Sequence, residues 1–334
     1  MVAKTRISVV IPNYNNMSYL SQAIQSAIEA SSDFSVDIVI VDDGSTDDSL
    51  AVAESFGNAI RLYQNESNIG QERTTNRGLR YAMGEYVVIL HSDDLLNKNF
   101  FKDLVPLLDQ YPMAVMAVGE RIEINEQGDI LLSPAPFYDG DYLIPGVEQA
   151  KVFLVSGFLP CQVLFRRNVV LEFGGAKAGF QVNLDGLLWF KASLFGDIAY
   201  RQNVVSSYRR HQGSLTSNLT PTLTHLFEYY STIKEMFLFA NKQQVDLSGE
   251  RQRAFDRIAD LAIRYSKEIY ASGEVELARR FIAFATAVNA GVKDTDAFLD
   301  ISSAIDQGSE VTNPFSERLI SYEPPVGSKP IKVS

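Results

Sequence analysis

The sequence predicts an α/β protein in which a mostly parallel central sheet is flanked by helices and followed by an all-helical region. Two observations lead to this prediction. Between residues 7 and 90, short β-branched runs alternate with segments of helical spacing, which is typical of parallel strands joined by right-handed crossovers. After about residue 220 the strand patterns stop, and apolar residues recur at helical spacing as far as residue 305.

Four buried strands are predicted in the first part of the chain, where apolar runs end at turn-forming residues: 7–11, 36–41, 60–63 and 85–90. Segments with one apolar face lie between them and predict helices at 19–30, 50–56 and 71–83. Further along, the pattern predicts a helix at 100–110, a strand at 113–118 and a short helix at 187–195. The segment 120–160 is polar, contains prolines and shows no single period.

The length of 334 residues suits one large α/β domain and one smaller domain. We place the α/β domain at residues 1–217 and the helical domain at residues 218–320. Residues 321–334 are rich in Pro and Lys, so a loosely ordered tail is expected there.

The bulk composition excludes several kinds of protein. A formal net charge of -11 and a pI near 4.9 disfavour general binding to nucleic acid or to anionic lipid. Cys161 is the only cysteine, so it forms no intrachain disulfide, and a small buried apolar residue is expected there. The first residues lack a signal sequence, and the longest apolar stretch, 152–165, is too short to span a bilayer. We therefore expect a cytoplasmic protein without a transmembrane segment, with peripheral attachment at the inner membrane face left open.

Unusual polar residues follow three of the predicted strands: Pro12-Asn13-Tyr14-Asn15, Asp42-Asp43-Gly44 and Ser92-Asp93-Asp94. Each segment alone also suits a turn or a helix cap. In a parallel sheet, however, all the strand carboxyl ends lie at one edge, and ligands bind in the crevice outside that edge. Three such segments at successive strand ends therefore indicate one site.

The residue types of these loops indicate a nucleotide and a cation. Neighbouring carboxylates repel each other unless a cation or hydrogen-bond donors intervene, and hard divalent ions prefer oxygen ligands. An aromatic ring beside a carboxylate suits a nucleobase, which stacks on the ring and donates a ring N–H to the carboxylate. The chain has no P-loop and no G-x-G-x-x-G motif, so kinase-like and dinucleotide-binding sites lack their glycines.

Several strings, in this order, resemble a known family. They include Val9-Val10-Ile11-Pro12-Asn13-Tyr14-Asn15, Val41-Asp42-Asp43-Gly44-Ser45-Thr46-Asp47, Asn68-Ile69-Gly70 with Asn76-Arg77-Gly78, Gly84-Glu85-Tyr86-Val87, Ser92-Asp93-Asp94, and Tyr208 to Ser214. Over residues 6–216 the chain resembles the inverting family 2 glycosyltransferases, which have the GT-A fold. The helical region lies outside the resemblance.

The resemblance implies roles for individual residues. Nucleotide contacts are expected from Pro12, Tyr14, Asn15, Asp42, Asp43, Asn76 and Asp93, with Tyr14 stacking on the base and Asp43 holding its ring nitrogen. Asp94 would bind Mg²⁺ or Mn²⁺, and His211 is a second candidate metal ligand. Asp185, four residues before Trp189, would be the general base. Arg73, Arg77, Arg209 and Arg210 are further candidates to counter a diphosphate, unless they are solvated or paired.

The implied reaction is a single displacement that moves a sugar from a nucleotide-sugar, with a UDP-sugar as the first guess, to a glycan or lipid-linked acceptor. Its expected setting is cell-surface polysaccharide or glycan assembly. The helical region is a candidate acceptor-side or homo-oligomerisation element. Two departures from the family pattern, His91 in place of an acid and Leu184 in place of a glutamate, favour an alternative: a nucleotide-sugar-binding module with impaired catalysis. A nucleotidyltransferase is disfavoured, because the loop after the first strand lacks a Gly- and Arg-rich sequence.

Overall fold

The computed structural model describes residues 6–155, 163–180, 183–214, 222–311 and 321–331. The chain forms two compact units. The first unit comprises residues 1–150, 158–211 and 319–334, and the second comprises residues 151–157 and 212–318. Cys161 and part of the apolar stretch 152–165 lie outside the described residues.

The first unit is built on a mixed sheet, with eleven strands among the described residues. In chain order the strands are β1 (Ile7–Asn13), β2 (Val36–Asp42), β3 (Arg61–Gln64), β4 (Tyr86–Ile89), β5 (Leu95–Leu96), β6 (Ala114–Ile124), β7 (Ile130–Leu132), β8 (Tyr142–Ile144), β9 (Val163–Arg166), β10 (Asp197–Arg209) and β11 (Lys329–Pro330). Their order across the sheet is β11-β8-β10-β6-β9-β4-β1-β2-β3, while β5 pairs with β10 and β7 pairs with β6.

The half of the sheet formed by β3, β2, β1 and β4 is parallel. All seven residues of β1 are buried, as expected for a central strand covered on both faces. The register pairs Asn13 with Asp42, so the first two polar loops leave the sheet side by side. The predicted parallel core and its shared carboxyl edge are therefore confirmed.

The other half of the sheet is mixed, because β9 pairs antiparallel with both β4 and β6, whereas β10 runs parallel to β6. Strand β6 continues beyond the predicted residue 118 to Ile124, although its second part is polar. Those polar residues are accommodated because β10 and β7 pair with this part of β6 on its two sides. Residues 329–330, in the segment expected to be loosely ordered, pair with β8.

The helices up to residue 193 are α1 (Met17–Ala30), α2 (Ser49–Glu54), α3 (Gln71–Tyr81), α4 (Phe100–Gln110), α5 (Gly146–Val155), α6 (Arg167–Glu172) and α7 (Leu184–Ser193), with a 3-10 turn at Gly57–Ala59. Helix α1 buries Leu20, Ala23, Ile24 and Ala27, which recur at helical spacing, in the core of this unit. Helix α3 approaches β1 closely at Gly78, where an added Cβ would meet Val10 Cγ1 at 2.3 Å.

The second unit contains α8 (Leu223–Lys242), α9 (Arg251–Ala271), α10 (Val275–Val288) and α11 (Asp296–Gln307), with 3-10 turns at Ser248–Glu250 and Ala290–Asp294. These helices bury a core of their own that includes Ile263, Phe281 and Ile301. No helix within the described residues has the length and apolar character that crossing a membrane requires.

Candidate active site

The loops after β1 and β2 are tied together through Asp42. The side chain of Asn13 donates a hydrogen bond to Asp42 Oδ1 at 2.9 Å, and the backbone N–H of Ser45 donates to Asp42 Oδ2 at 2.9 Å. The Ser45 hydroxyl also donates to Asp42 Oδ1 at 2.6 Å. Asp42 is 1% exposed. Its charge is therefore balanced by protein donors, and its position fixes the geometry of the turn.

Asn15 holds the loop after β1 in a conformation that exposes Tyr14. The φ of Asn15 is 48°, in the left-handed region that Asn tolerates better than most residues. Its Oδ1 accepts from the backbone N–H of Thr46 at 2.7 Å and that of Asp47 at 3.4 Å. Tyr14 is 46% exposed between these anchored residues. The loop therefore presents an aromatic ring to solvent directly beyond Pro12 at the end of β1.

Asp43 is 2% exposed and organises the loop before α3. Its Oδ1 accepts from Asn65 Nδ2 at 2.7 Å and from the backbone N–H of Ile69 at 2.9 Å, while Oδ2 accepts from the N–H of Gly70 at 2.9 Å. The two neighbouring carboxylates Asp42 and Asp43 thus use separate sets of donors. These hydrogen bonds offset the mutual repulsion of the two carboxylates.

The second acidic pair lies after β4 and is held by Arg209 of β10. Asp94 is completely buried, and its Oδ1 accepts from the backbone N–H of Arg209 at 2.9 Å. The Arg209 guanidinium donates to the Asp93 carbonyl at 2.9 Å, to the carbonyls of residues 125 and 126, and to Gln22 Oε1 at 2.8 Å. Arg209 is also completely buried. It therefore fixes the turn that carries both acids and is not available to a diphosphate.

His91 connects this acidic turn to Asp185. Its Nε2 lies 3.3 Å from Asp185 Oδ2, and its Nδ1 lies 3.8 Å from Asp94 Oδ2. Asp185 is in the first turn of α7, and 28% of its side chain is exposed. In the sequence, His91 departs from the family pattern and Asp185 is the candidate general base. The tertiary structure instead places the two side chains in contact at the carboxyl edge of the sheet.

Three side chains in this region form a group that fits a metal ion. One ligand atom each from His91, Asp93 and Asp94 lies within 4.8 Å of the others. The set of one imidazole and two carboxylates is compatible with Mn²⁺, and its carboxylates also suit Mg²⁺. His211, the predicted second ligand, lies elsewhere in the cluster: its Nε2 is 3.1 Å from Asp93 Oδ2, and its ring packs against Tyr19. In this arrangement His211 supports Asp93, and a metal-binding role for it stays a prediction.

The charges of the cluster shift two pKa values. Burial opposes protonation of His91, but the nearby charges of Asp185, Asp94 and Asp93 outweigh it and raise the pKa of His91 to about 10. Burial also opposes ionisation of Asp93, yet the hydrogen bond from His211 and the charges of His91 and His211 lower the pKa of Asp93. In the absence of a metal ion, a protonated His91 thus balances part of the acidic charge. A bound divalent ion would supply that charge itself and favour neutral imidazole, the form that ligates metals.

The remaining predicted site residues have other contacts. Asn76 donates to the carbonyl of Ala176 at 2.7 Å and accepts from its N–H at 2.9 Å, so both ends of its amide hold the loop before α7. A nucleotide contact by Asn76 stays a prediction. Arg210 pairs with Glu123, whereas Arg73 and Arg77 line a cleft beside α3.

The chain is similar to known glycosyltransferases. An uncharacterised glycosyltransferase of Rickettsia typhi is 25% identical over 267 residues, which cover 79% of this chain and 81% of that protein. The poly(ribitol-phosphate) beta-N-acetylglucosaminyltransferase TarS of Staphylococcus aureus is 34% identical over 129 residues, covering 37% of this chain and 22% of TarS. This chain therefore spans only a minor part of that longer relative.

The fold is similar to that of a solved structure. A crystal structure of Staphylococcus aureus TarS 1–349 in complex with UDP-GlcNAc matches with a TM-score of 0.58, covering 96% of this chain and 98% of that chain. The sequence identity in that match is 19%, so this likeness concerns the fold alone. It confirms the expected GT-A type of architecture with a helical C-terminal region. The sequence model of glycosyl transferase family 2 matches residues 8–171, and the chain belongs to this family.

Proposed function

We propose that the protein transfers a sugar from a nucleoside-diphosphate donor, with UDP as the first guess for the nucleotide, to an acceptor hydroxyl with inversion at the anomeric carbon. One observation carries the proposal. His91 brings the candidate base Asp185 and the acidic pair Asp93-Asp94 together at the same sheet edge as Tyr14 and Asp43. This edge has the components for a base-binding pocket, a charged centre and a proton acceptor.

The donor base would be recognised by Tyr14 and Asp43. The exposed ring of Tyr14 offers a stacking surface. A carboxylate has about four acceptor sites, and protein donors occupy three of those on Asp43, so it retains capacity for a ring N–H of the base. Asn15 and Asp42 keep this loop in place, and Pro12 is the next-to-last residue of the strand that carries it. Contacts of Pro12, Asn15, Asp42, Asn76 and Asp93 with the nucleotide belong to this proposal.

A divalent ion, Mg²⁺ or Mn²⁺, would be held by Asp94 together with His91 and Asp93, where its charge would stabilise the leaving diphosphate. The hydrogen bond from the backbone N–H of Arg209 to Asp94 Oδ1 orients this carboxylate, and its Oδ2 lies 3.8 Å from His91 Nδ1 within the same group. His211 would keep Asp93 ionised and correctly oriented through its hydrogen bond.

Asp185 would remove the proton from the acceptor hydroxyl during the displacement. Its side chain is partly exposed, so it is accessible to an acceptor, and its contact with His91 restricts its orientation. General-base assistance of this kind contributes roughly 10²–10⁴-fold to the rate. A single displacement on a donor fixed at this edge inverts the anomeric configuration and needs no covalent intermediate.

The acceptor class is proposed from similarity. The name of TarS describes the transfer of N-acetylglucosamine to poly(ribitol-phosphate). By analogy we propose a glycan or lipid-linked acceptor and a role in cell-surface glycan assembly, on the cytoplasmic side of a membrane. We further propose that residues 1–217 form the catalytic domain, and that the helices of residues 218–320 serve the acceptor side or homo-oligomerisation.

Calorimetric titration with UDP, with and without Mn²⁺, tests the proposal. Asp43→Asn is preferable to alanine, because the amide oxygen retains part of the hydrogen bonding to Ile69 and Gly70. We expect this variant to bind UDP about tenfold more weakly in both conditions, since it loses a charged acceptor. Asp94→Asn should lose only the Mn²⁺-dependent part of the affinity. The control is Asp48→Asn, which makes the same charge change at an exposed position near the loop.

Affinities of both variants equal to that of Asp48→Asn would overturn the nucleotide site. UDP binding without release of UDP from any UDP-sugar would instead favour the alternative of a binding module with impaired catalysis. The two results are separable because binding and turnover are measured independently.

A further inference from the structure

A cleft of about 310 Å³ lies beside α3 and is lined by Ile69, Arg73, Asn76, Arg77 and Arg80. Three of its five lining residues are arginines, in a chain whose formal net charge is -11. Their spacing of four and three residues places them on one face of the helix. Helix geometry therefore concentrates positive charge in one concave part of an otherwise acidic protein.

The three guanidinium groups are not neutralised by the protein. Arg73 and Arg80 are exposed, and no carboxylate of the described residues lies within ion-pair distance of either one. Arg77 is partly buried. Its guanidinium group donates hydrogen bonds to Asn65 Oδ1 and, at 3.3 Å, to the hydroxyl of Tyr81. The same group also lies over the Tyr81 ring. These contacts use only part of its five N–H donors and orient the group before any ligand arrives.

The cleft extends away from the acidic turn along the length of α3. At the start of the helix, the Ile69 N–H binds Asp43 near the carboxyl edge of the sheet. Just beyond its end, the N–H groups of Met83 and Gly84 donate to Ser8 Oγ, near the first residue of β1. Seven residues of helix separate Arg73 from Arg80, a rise of about 10 Å. Arg80 therefore lies toward the opposite edge of the sheet from Asp94.

We infer that this arginine cleft binds a phosphate group of an anionic ligand at a site separate from the donor pocket. Guanidinium groups match phosphate oxygens with paired, charge-assisted hydrogen bonds. Asn76 also lines the cleft, but its amide is committed to the backbone of Ala176, which leaves the arginines as the principal recognition groups. The phosphate belongs either to a free phosphate compound or to a lipid headgroup, and both present the same chemistry.

The test uses the full chain and a double variant, Arg73→Gln with Arg80→Gln. Neither side chain has a partner that folding requires, so the variant should remain folded. Arg77 is kept, because it also supports Asn65 and through it Asp43. The matched control is Arg264→Gln with Arg280→Gln, which removes two charges from exposed positions of the helical unit. Inorganic pyrophosphate is titrated by calorimetry in the absence of divalent ions, first alone and then with UDP present at saturation.

We expect pyrophosphate to bind the wild type and the control alike, and the Arg73/Arg80 variant at least about tenfold more weakly, because hydrogen bonds to a charged group are lost. Saturating UDP should leave pyrophosphate binding unchanged, and the variant should keep wild-type affinity for UDP. A sedimentation assay with phosphatidylcholine vesicles, with and without phosphatidylglycerol, distinguishes the sources. Binding to the anionic vesicles that is lost in the same variant identifies a lipid headgroup, and binding of pyrophosphate alone identifies a free phosphate compound.

Three results would overturn the inference. Equal loss of pyrophosphate binding in the variant and in the control would show a general charge effect. Competition between UDP and pyrophosphate, or loss of UDP affinity in the variant, would make the cleft part of the donor pocket. Absence of binding to pyrophosphate and to both kinds of vesicle would leave the cleft without a phosphate ligand. The pyrophosphate titration without UDP still tests phosphate binding by the arginine cleft if UDP is not the donor nucleotide.

Discussion

The Nε2 atom of His91 lies 3.3 Å from Oδ2 of Asp185, and this contact joins the loop after β4 to the first turn of α7. The opposite ring nitrogen faces Asp94 Oδ2 at 3.8 Å. One imidazole therefore lies between the candidate base and the candidate metal ligand. The residue that looked like a loss from the family pattern occupies the centre of the site.

Replacement of Asp185 by asparagine should abolish transfer while leaving donor binding nearly intact. A general base acts only in the transition state, so kcat and kcat/KM should fall together, by at least about 100-fold. The substitution is nearly isosteric, and the amide can still contact His91. Release of UDP from a UDP-sugar measures turnover, and calorimetry with UDP measures binding.

If Asp185→Asn retains activity within a few-fold of the wild type, another residue acts as the base. The next candidates in the chain are acids of the 120–141 segment, such as Glu120 or Glu123, but both are engaged in the structure. Glu120 accepts a hydrogen bond from the backbone N–H of Phe137 and one from Tyr200, and Glu123 pairs with Arg121 and Arg210. Both side chains are also buried, so an acceptor hydroxyl reaches either one less easily than the partly exposed Asp185.

The variant His91→Asp should bind a divalent metal ion more tightly than the wild type. Its metal-free form should be less stable than the metal-free wild type. The substitution restores an acid at the family position but adds a carboxylate beside Asp93, Asp94 and Asp185. Each pair of like charges about 4 Å apart costs between about 1 kcal/mol, at the dielectric of water, and about 4 kcal/mol, at the effective dielectric near a protein surface. Thermal unfolding with EDTA should therefore shift to lower temperature. Added Mn²⁺ should raise the melting temperature more than it does in the wild type.

The same variant combined with Asp94→Asn provides the control, because the additional Mn²⁺ response should disappear with that ligand. A response to Mn²⁺ in His91→Asp that is no larger than in the wild type would contradict the assignment of the metal group.

Arg209→Met should destabilise the first unit by about 3 kcal/mol, because it leaves the carbonyls of residues 93, 125 and 126 without their buried donor. The neighbouring change Arg210→Met is the matched control. The side chain of Arg210 is 60% exposed, and its ion pair with Glu123 should contribute less than about 1 kcal/mol. Urea unfolding followed by circular dichroism compares the two variants. Equal midpoints would show that Arg209 does not hold the acidic turn.

Gly78→Ala should also destabilise the protein, by about 1–3 kcal/mol, because the new methyl group meets Val10 Cγ1 at 2.3 Å and forces α3 away from β1. Gly186→Ala in α7 is the control. None of the described residues lies within 4 Å of its added Cβ, so that variant should be stabilised by roughly 0.5–1 kcal/mol through helix propensity. Differential scanning calorimetry measures both, and a neutral Gly78→Ala would refute the close approach.

The sequence by itself determined the parallel half of the sheet, the location of the carboxyl edge that carries the candidate site, and the division into an α/β part and a helical part. These features depend on short-range patterns: β-branched runs that end at Pro12 or Asp42, and apolar residues at helical spacing in α1. Such patterns specify strands and helices locally, and the rule that parallel strands end at one edge then brings Tyr14 and Asp43 to the same side.

Only the tertiary structure decided which side chains meet there. His91 and Asp185 are 94 residues apart, and Arg209 reaches Asp93 from 116 residues away. The pairing of β10 with β6 and β5 brings Arg209 beside the acidic turn, and no local pattern encodes that proximity. The distinct roles of the two acidic pairs have the same origin. Asp42 and Asp43 resemble Asp93 and Asp94 in sequence, but protein N–H and O–H donors surround the first pair, whereas imidazole rings and a third carboxylate surround the second.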